Sequence, residues 1–367
     1  MSTIFGRLVF FVFIFLLGIT IFLIYRLLAP RHTPKINGDN AIAELFPIPI
    51  NGVNQWLLIR GADTTKPILL FLHGGPGSAQ IAIMRNFQKD LERYFIVVQW
   101  DQRGAGLSGL VPVEEATFNK EQFIADGLEV TNYLRNRFNK EKIFLVGHSW
   151  GSGLGYIMAV RHPEYFHAFA GLGQMSRDGE KLAYAETLKT AEKNNHQIAI
   201  NELIELGAPP YLRLPNIKGT LHQANPGNIA LSGMLIRYKW SEALGGDAKY
   251  INIRNLIVKE LIFSSEYKLT DAFAWIKQKA RSINLTYEEC NQDLDLFSEG
   301  LVFKIPVYFL LGKWDLLTVP SGAVALMEAI EAPQKELFWF DAAHEIHWEN
   351  PAEYQKVIIK CFLDIED

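Results

Sequence analysis

Residues 147–151 read Gly-His-Ser-Trp-Gly and join a short apolar strand pattern, residues 142–146, to an apolar helix pattern, residues 153–160. Glycines on both sides of a serine allow a sharp strand-to-helix turn, because side chains at Gly147 and Gly151 would collide with the neighbouring backbone. The motif therefore predicts an α/β fold in which Ser149 is presented at the end of a strand.

A serine at such a turn becomes a nucleophile only if the fold also supplies a base, an acid that orients the base, and hydrogen-bond donors for an oxyanion. In this kind of fold the acid and then the histidine follow the serine along the chain. Asp315 and His344 each come directly after an apolar strand pattern. The order predicts a triad of Ser149, Asp315 and His344, with His347 as the alternative base.

Candidate oxyanion donors follow from a second glycine-rich segment, His73-Gly74-Gly75-Pro76-Gly77, which comes after another strand pattern. Small residues there let the backbone approach a substrate carbonyl closely. The backbone N–H groups of Gly75 and of Trp150, the residue after the serine, are the predicted donors. Pro76 has no N–H to donate.

Composition limits the other classes of site. The chain has 367 residues and a net charge of −4, and it has no basic clusters in its soluble part, which argues against nucleic acid as a partner. Cys290 and Cys361 are the two cysteines, and their separation suits packing rather than metal binding. The segment from His344 to His347 lacks the H-E-x-x-H spacing of a zinc helix. We predict no metal and no cofactor.

The N-terminus carries a separate signal. Residues 8–25 contain no charged residue and lie between Arg7 and Arg26. As a helix this stretch is roughly 27 Å long, enough for a thin bilayer core. It predicts a single uncleaved membrane anchor, because residues 28–30, Leu-Ala-Pro, form a poor small-residue cleavage site for a signal peptidase. A signal peptide is the alternative.

The charges beside the anchor bear on its orientation. Arg26, Arg31 and Lys35 follow the apolar stretch, and Arg7 precedes it. The excess of positive charge after the stretch favours a cytoplasmic enzyme domain. The difference in positive charge between the two sides is small, and an enzyme domain that faces outward is an equally reasonable prediction.

After this segment, strand and helix patterns alternate, stop, and resume, which predicts one mostly parallel, doubly wound sheet interrupted by a helical insertion. We expect an anchor over residues 1–30, a first core part over 31–174, a helical cap over 175–299 and a second core part over 300–367. The predicted strands are residues 54–60, 67–72, 94–100, 142–146, 167–173, 306–311 and 335–340, and the predicted core helices are 81–93, 120–138, 153–160, 319–330 and a last one from 351.

A family resemblance adds to this interpretation. Four blocks carry it, over roughly residues 45–365: His73-Gly74-Gly75-Pro76-Gly77, Asp101-Gln102-Arg103-Gly104-Ala105-Gly106-Leu107-Ser108, Gly147-His148-Ser149-Trp150-Gly151-Ser152 and Gly312-Lys313-Trp314-Asp315. Together they resemble the proline iminopeptidase family of α/β-hydrolases. The resemblance implies the α/β-hydrolase fold with a helical cap over the site. His344 followed by Glu349-Asn350-Pro351 resembles the family's histidine loop, which favours His344 over His347 as the base.

The same resemblance implies that carboxylates of the cap hold the free α-amino group of a peptide substrate. Glu242 is the best match, and Glu205, in a stretch similar to the family's cap segment, is the second candidate. The chain departs from the family pattern at His148, where glycine is common, and at Ala343, where glycine usually precedes the histidine. These departures leave the substrate less defined than the reaction.

Three functions are compatible with these residues. The first is a membrane-anchored aminopeptidase that removes an N-terminal residue, of the proline type, from small peptides. The second is a carboxylesterase or lipase-like hydrolase of small esters, which an anchor would place near lipidic substrates. The third is a binding protein without catalysis, against which the intact Ser149, Asp315 and His344 argue. We also expect Arg103 to form a structural ion pair beside the site.

Overall fold

The computed structural model describes residues 2–211, 229–287, 290 and 294–363. Within them lies one sheet of eight strands in the order β1-β2-β4-β3-β5-β6-β7-β8. The strands are β1 Ile42–Ile50, β2 Val53–Gly61, β3 Ile68–Leu72, β4 Ile96–Asp101, β5 Ile143–His148, β6 Phe166–Leu172, β7 Val307–Gly312 and β8 Lys335–Phe340.

The helices of the described residues surround this sheet and cover one of its edges. They are α1 Ser2–Leu28, α2 Ile81–Met84, α3 Lys120–Phe138, α4 Trp150–Arg161, α5 Gly179–Lys193, α6 Gln197–Leu206, α7 Ile229–Ala243, α8 Ile253–Phe263, α9 Leu269–Tyr287, α10 Leu296–Glu299, α11 Pro320–Ala329, α12 Ile346–Glu349 and α13 Pro351–Leu363.

Strand pairing explains where the candidate residues lie. From β4 to β8 across the sheet all neighbours run parallel, and only β1 and β2 are antiparallel to their neighbours. The central strands β3 and β5 are buried along their whole length, as their unbroken apolar sequences require for a sheet covered on both faces. Leu72 pairs with Gly147, and His148 pairs with Leu172. The carboxyl ends of these strands therefore form one edge of the sheet, and the predicted α/β fold is confirmed.

Helices α5 to α10 lie in the chain between β6 and β7 and form a cap with a small apolar core of its own, built around Tyr184, Leu203, Ile236 and Trp240. The cap predicted over residues 175–299 includes residues 212–228, 288, 289 and 291–293, which lie outside the described residues.

Most residues of helix α1 are exposed, and its C-terminal end contacts the cap. Its segment Phe5–Leu28 has a mean hydropathy of 3.0 and is long and apolar enough to cross a membrane, and its most apolar part is not buried. Such a helix near the N-terminus is also compatible with a signal sequence.

Two local expectations differ from the structure. The single helix predicted over residues 81–93 is wrong, because α2 ends at Met84 and only a short 3-10 turn, Leu91–Arg93, follows. Buried polar side chains hold the segment to the sheet: Gln88 accepts a 2.9 Å hydrogen bond from Gln99, and Glu92 pairs with Arg60 at 2.7 Å. Strand β1 was not predicted, because its sequence contains two prolines, which disfavour a strand in the interior of a sheet. The structure places β1 at the edge of the sheet, where prolines are tolerated.

Candidate active site

Ser149 occupies the turn between β5 and α4 with φ 53° and ψ −122°. Its own amide donates a 2.9 Å hydrogen bond to the carbonyl of Leu172 on the adjacent strand. A Cβ at Gly147 would overlap the carbonyl oxygen of Gly151, and one at Gly151 would overlap the carbonyl oxygen of Leu72. Both glycines are therefore required for steric reasons, and the turn holds Ser149 in a backbone conformation that side chains rarely adopt.

Asp315 and His344 meet in the loops after β7 and β8. His344 Nδ1 lies 2.7 Å from Asp315 Oδ2. The other oxygen, Asp315 Oδ1, accepts hydrogen bonds from the amides of Leu317 and Thr318 at 2.7 and 2.9 Å. These amides fix the carboxylate, which in turn fixes the ring so that His344 Nε2 is the nitrogen left for proton transfer.

The charge state of His344 follows from the same contacts. Burial alone would lower its pKa, but the charge and hydrogen bond of Asp315, with further contributions from Glu345 and Asp247, outweigh burial and raise the pKa to about 9. This imidazole therefore holds a proton more strongly than a free histidine does, and only its neutral form can accept the proton of a serine hydroxyl.

The predicted oxyanion donors lie on either side of Ser149. Trp150 begins α4, so its backbone N–H is among the first amides of that helix, which have no carbonyl partner within the helix. Gly74 approaches so closely that an added Cβ would lie 2.9 Å from the Cβ of Ser149. Gly75 has φ 114°, which favours glycine, and it lines the same cavity as Ser149. Gly75 thus follows a residue that contacts Ser149, and Trp150 follows Ser149 in the chain, so both amides stay candidate donors for an oxyanion.

His347 lies in a different environment from His344, although both rings contact His148. It is completely buried, packs against Phe71 and Trp348, and does not line the cavity. Burial, and next the nearby His344, lower its pKa to about 3. An enclosed imidazole with so low a pKa and no carboxylate hydrogen bond is a weak general base, and these contacts favour His344 over His347 in that role.

One group of described residues has donor atoms close enough to be considered as a metal site: those of His148, Glu345 and His347 lie within 4.8 Å of one another. Glu345 Oε2 is 3.7 Å from His148 Nε2 and 3.8 Å from His347 Nε2, whereas the ligand atoms of tetrahedral zinc are about 3.3 Å apart. His148 Nε2 also lies 3.2 Å from the carbonyl oxygen of His344 and is placed to donate to it. These residues would have to rearrange to hold a metal.

A cavity of about 290 Å³ lies between the sheet edge and the cap. Ser149, His344 and Gly75 line it from the core side, and most of the cap residues on the other side are apolar. This volume is at the lower end of the range of about 300–1,000 Å³ that is common for ligand pockets. The cavity therefore suits one small substrate residue.

Three carboxylates line this cavity: Glu180, Asp247 and Glu345. Glu180 is neutralised by the buried Arg237, whose guanidinium contacts it at 2.5 and 2.9 Å. Asp247 and Glu345 are joined through the backbone, where the Glu345 amide donates a 3.1 Å hydrogen bond to the Asp247 carbonyl oxygen. Both carboxyl groups have raised pKa values, chiefly because they are buried.

The two cap carboxylates predicted to bind substrate are not in this cavity. Glu242 forms an ion pair with Arg254 at 2.6 Å on the surface of the cap, and Glu205 is an exposed residue of α6. Neither lines the cavity, so these positions do not fit the predicted role. Helix amphipathicity explains the difference, because a glutamate in a surface helix matches a family motif as readily as a buried one does.

Asp247 and Glu345 were missed from the sequence. Asp247 follows two glycines in a cap loop and carries no signal that separates it from an ordinary turn residue. Glu345 did carry a signal in the sequence, because it is next to His344 in the loop after the last strand.

Arg103 forms the predicted structural ion pair, with Asp126 at 2.7 Å, and this expectation is confirmed.

The model of the alpha/beta hydrolase fold family matches residues 67–351. The chain belongs to this family, and it is a hydrolase. All the candidate residues of the sheet edge, from Gly75 to His344, lie within the matched part.

Two relatives and one solved structure make the assignment more specific. Over 321 residues the chain is 30% identical to the probable aminopeptidase YbaC of Bacillus subtilis (strain 168), covering 87% of this chain and 96% of the relative. It is also 30% identical to a proline iminopeptidase of Saccharolobus solfataricus, covering 90% and 94%. The crystal structure of a proline iminopeptidase of Mycobacterium smegmatis matches 88% of this chain and 98% of that chain with a TM-score of 0.59 at 18% identity, a likeness of fold. The chain is therefore a proline iminopeptidase-like α/β-hydrolase.

Proposed function

We propose that this protein is a membrane-anchored serine aminopeptidase that removes an N-terminal residue, of the proline type, from small peptides. The names of the two relatives support an aminopeptidase. The observation that carries the proposal is the pair of buried carboxyl groups, Asp247 and Glu345, in the cavity that also contains Ser149.

In this mechanism His344, oriented by Asp315, takes the proton of Ser149 as its oxygen attacks the substrate carbonyl. The amides of Gly75 and Trp150 stabilise the oxyanion, and His344 then gives the proton to the leaving amine. Water hydrolyses the acyl-enzyme with His344 again as the base. None of these steps needs a cofactor.

Asp247 and Glu345 would select the substrate's free amino group. Two carboxyl groups that line one cavity and repel each other resist ionisation, and a substrate ammonium bound to them would reverse that resistance because its charge favours both ionised forms. Tyr238 donates a 3.1 Å hydrogen bond to Asp247 Oδ2 and so orients one of them. A peptide with a blocked amine would leave both groups buried without a counter-charge, which disfavours its binding.

We further infer that the core comprises residues 31–174 and 300–367, the cap residues 175–299, and that α1 stays attached as an anchor. Arg26 supports the last point. Its side chain donates hydrogen bonds to the carbonyl oxygens of Ile262 and Tyr267 in the cap at 2.7 and 3.0 Å. A signal peptidase that removed the apolar segment together with Arg26 would also remove these hydrogen bonds to the cap.

The test is a substrate panel offered to the full-length protein in detergent: a prolyl arylamide, its N-acetyl counterpart and a short acyl ester, with the Ser149→Ala protein as the control for contaminating activity. We expect turnover of the prolyl arylamide and none of the acetylated compound. Ester turnover without arylamide turnover would replace the proposal with a carboxylesterase. No turnover of any substrate above the Ser149→Ala control would favour a binding protein.

A further inference from the structure

Helices α8 and α9 of the cap carry four large apolar side chains on the protein surface. Val258, Phe263, Phe273 and Ile276 are 53%, 63%, 71% and 61% exposed. We call these four residues the cap patch. Single exposed apolar side chains are common on protein surfaces. Several of them on two adjoining helices indicate an interaction surface for another apolar partner, such as a protein or a membrane.

The position of α1 identifies that partner. The ring of Phe22 in α1 lies 5.6 Å from the ring of Phe263, so the cap patch begins where the apolar helix ends. Arg31 then forms a two-point ion pair with Asp271 of α9 at 2.7 and 2.8 Å. The end of α1 is thus fixed to the loop between α8 and α9 and to the start of α9. A bilayer that holds α1 lies directly against these helices.

Basic side chains stand beside the cap patch. Lys259 of α8 and Lys277 of α9 are both exposed. Apolar rings with neighbouring lysines are the pattern of helices that lie in a membrane interface, where the rings enter the acyl boundary and the ammonium groups reach lipid phosphates.

We propose that the cap patch is a membrane-contact surface, by which the cap lies on the same bilayer that α1 enters. The occupant is lipid rather than a second protein, because the patch is continuous with an apolar helix of membrane-spanning length. This inference rests on the proposed anchoring by α1.

The consequence for the enzyme lies in α9. While Phe273 and Ile276 point outward, Trp275, Lys279 and Ile283 of the same helix line the substrate cavity. The helix that contacts lipid is therefore also a wall of the active site. Contact with a bilayer would set the position of this wall and admit substrates that partition to the membrane surface.

The experiment places an environment-sensitive nitrobenzoxadiazole probe on the full-length protein in phosphatidylcholine vesicles, through Phe273→Cys or Ile276→Cys. The matched control is Val302→Cys. Val302 is an apolar residue outside the cap, and its side chain is 61% exposed, as is that of Ile276. The native cysteines, Cys290 and Cys361, are buried, and the unsubstituted protein corrects for their labelling. We expect blue-shifted emission and quenching by doxyl-labelled lipid at 273 and 276, and water-like emission without quenching at 302.

Flotation of the vesicles after a carbonate wash reports on α1 separately. Protein that does not float overturns the anchoring proposal itself. Protein that floats with water-like emission at 273 and 276 overturns the membrane-contact surface and leaves the anchor intact. Blue-shifted emission that doxyl lipid does not quench also overturns it, because the cap patch is then covered by protein.

Discussion

The sheet edge and the cap face each other across one cavity, but they are built by different rules. At the sheet edge each candidate residue follows a strand whose register is fixed by at least one neighbouring strand, and Asp315 is fixed to His344 at 2.7 Å. In the cap, the cavity is lined by side chains of helices and loops, and Asp247 follows a glycine-rich turn. We infer that the edge determines the reaction and that the cap, through Asp247, takes part in choosing the substrate.

The largest expected effect is at the sheet edge. Ser149→Ala, His344→Ala and Asp315→Asn should each lower kcat/KM by at least about 10³-fold for amide and ester substrates alike, because all three residues act on the same acyl transfer. Steady-state kinetics with both substrates measures this, and circular dichroism checks folding. Full activity in His344→Ala together with its loss in His347→Ala would show that the base is His347.

The pH dependence should follow the raised pKa of His344. Only the neutral imidazole accepts the serine proton, so kcat/KM should rise with pH by about 50-fold between pH 7 and pH 9. A short acyl ester is the substrate to use, since it has no amine that titrates in this range. A plateau above pH 6.5, the ordinary value, would mean that Asp315 does not raise the pKa.

The same shift has a consequence for stability. A pKa raised from 6.5 to about 9 on folding means that the stabilisation by the protonated pair is complete below pH 6.5. It declines as pH rises and is lost above pH 9. Thermal unfolding in detergent across this range should therefore show a lower Tm at alkaline pH, and the decline should be smaller in Asp315→Asn.

The attachment of the cap to α1 predicts a smaller effect. Arg26→Ala removes a cation from the carbonyl oxygens of Ile262 and Tyr267, which should cost about 2 kcal/mol of unfolding free energy and lower the Tm by a few degrees. Arg7→Ala is the matched control, because Arg7 is an exposed arginine of the same helix. Equal Tm values for the two variants would contradict the cap contact.

The smallest effect should come from the surface of the cap. Glu242→Gln and Glu205→Gln should change kcat/KM by less than about twofold, because exposed charges and surface ion pairs contribute little. A large loss of arylamide turnover in Glu242→Gln would return this residue to the substrate site and contradict the positions described above.

The sequence predicts the sheet edge better than the cap for a physical reason. The periodicity of strands and of amphipathic helices is local, so residues 335–340 and 120–138 were predicted with the bounds that β8 and α3 have. The nucleophile turn also has a steric signature in its two glycines. The position of Asp247 depends instead on how cap helices pack over the sheet, and residues 81–93 depend on buried polar contacts with distant strands, which a local pattern does not contain.

The most direct measurement of this division is the ratio of arylamide to ester kcat/KM in Asp247→Asn, with Glu242→Gln as the control. Removal of a buried carboxylate that binds the substrate ammonium should lower turnover of the prolyl arylamide by about 10²-fold more than turnover of the ester. The ratio in Glu242→Gln should equal that of the natural protein. An unchanged ratio in Asp247→Asn would contradict the claim that the cap side of the cavity selects the free amine.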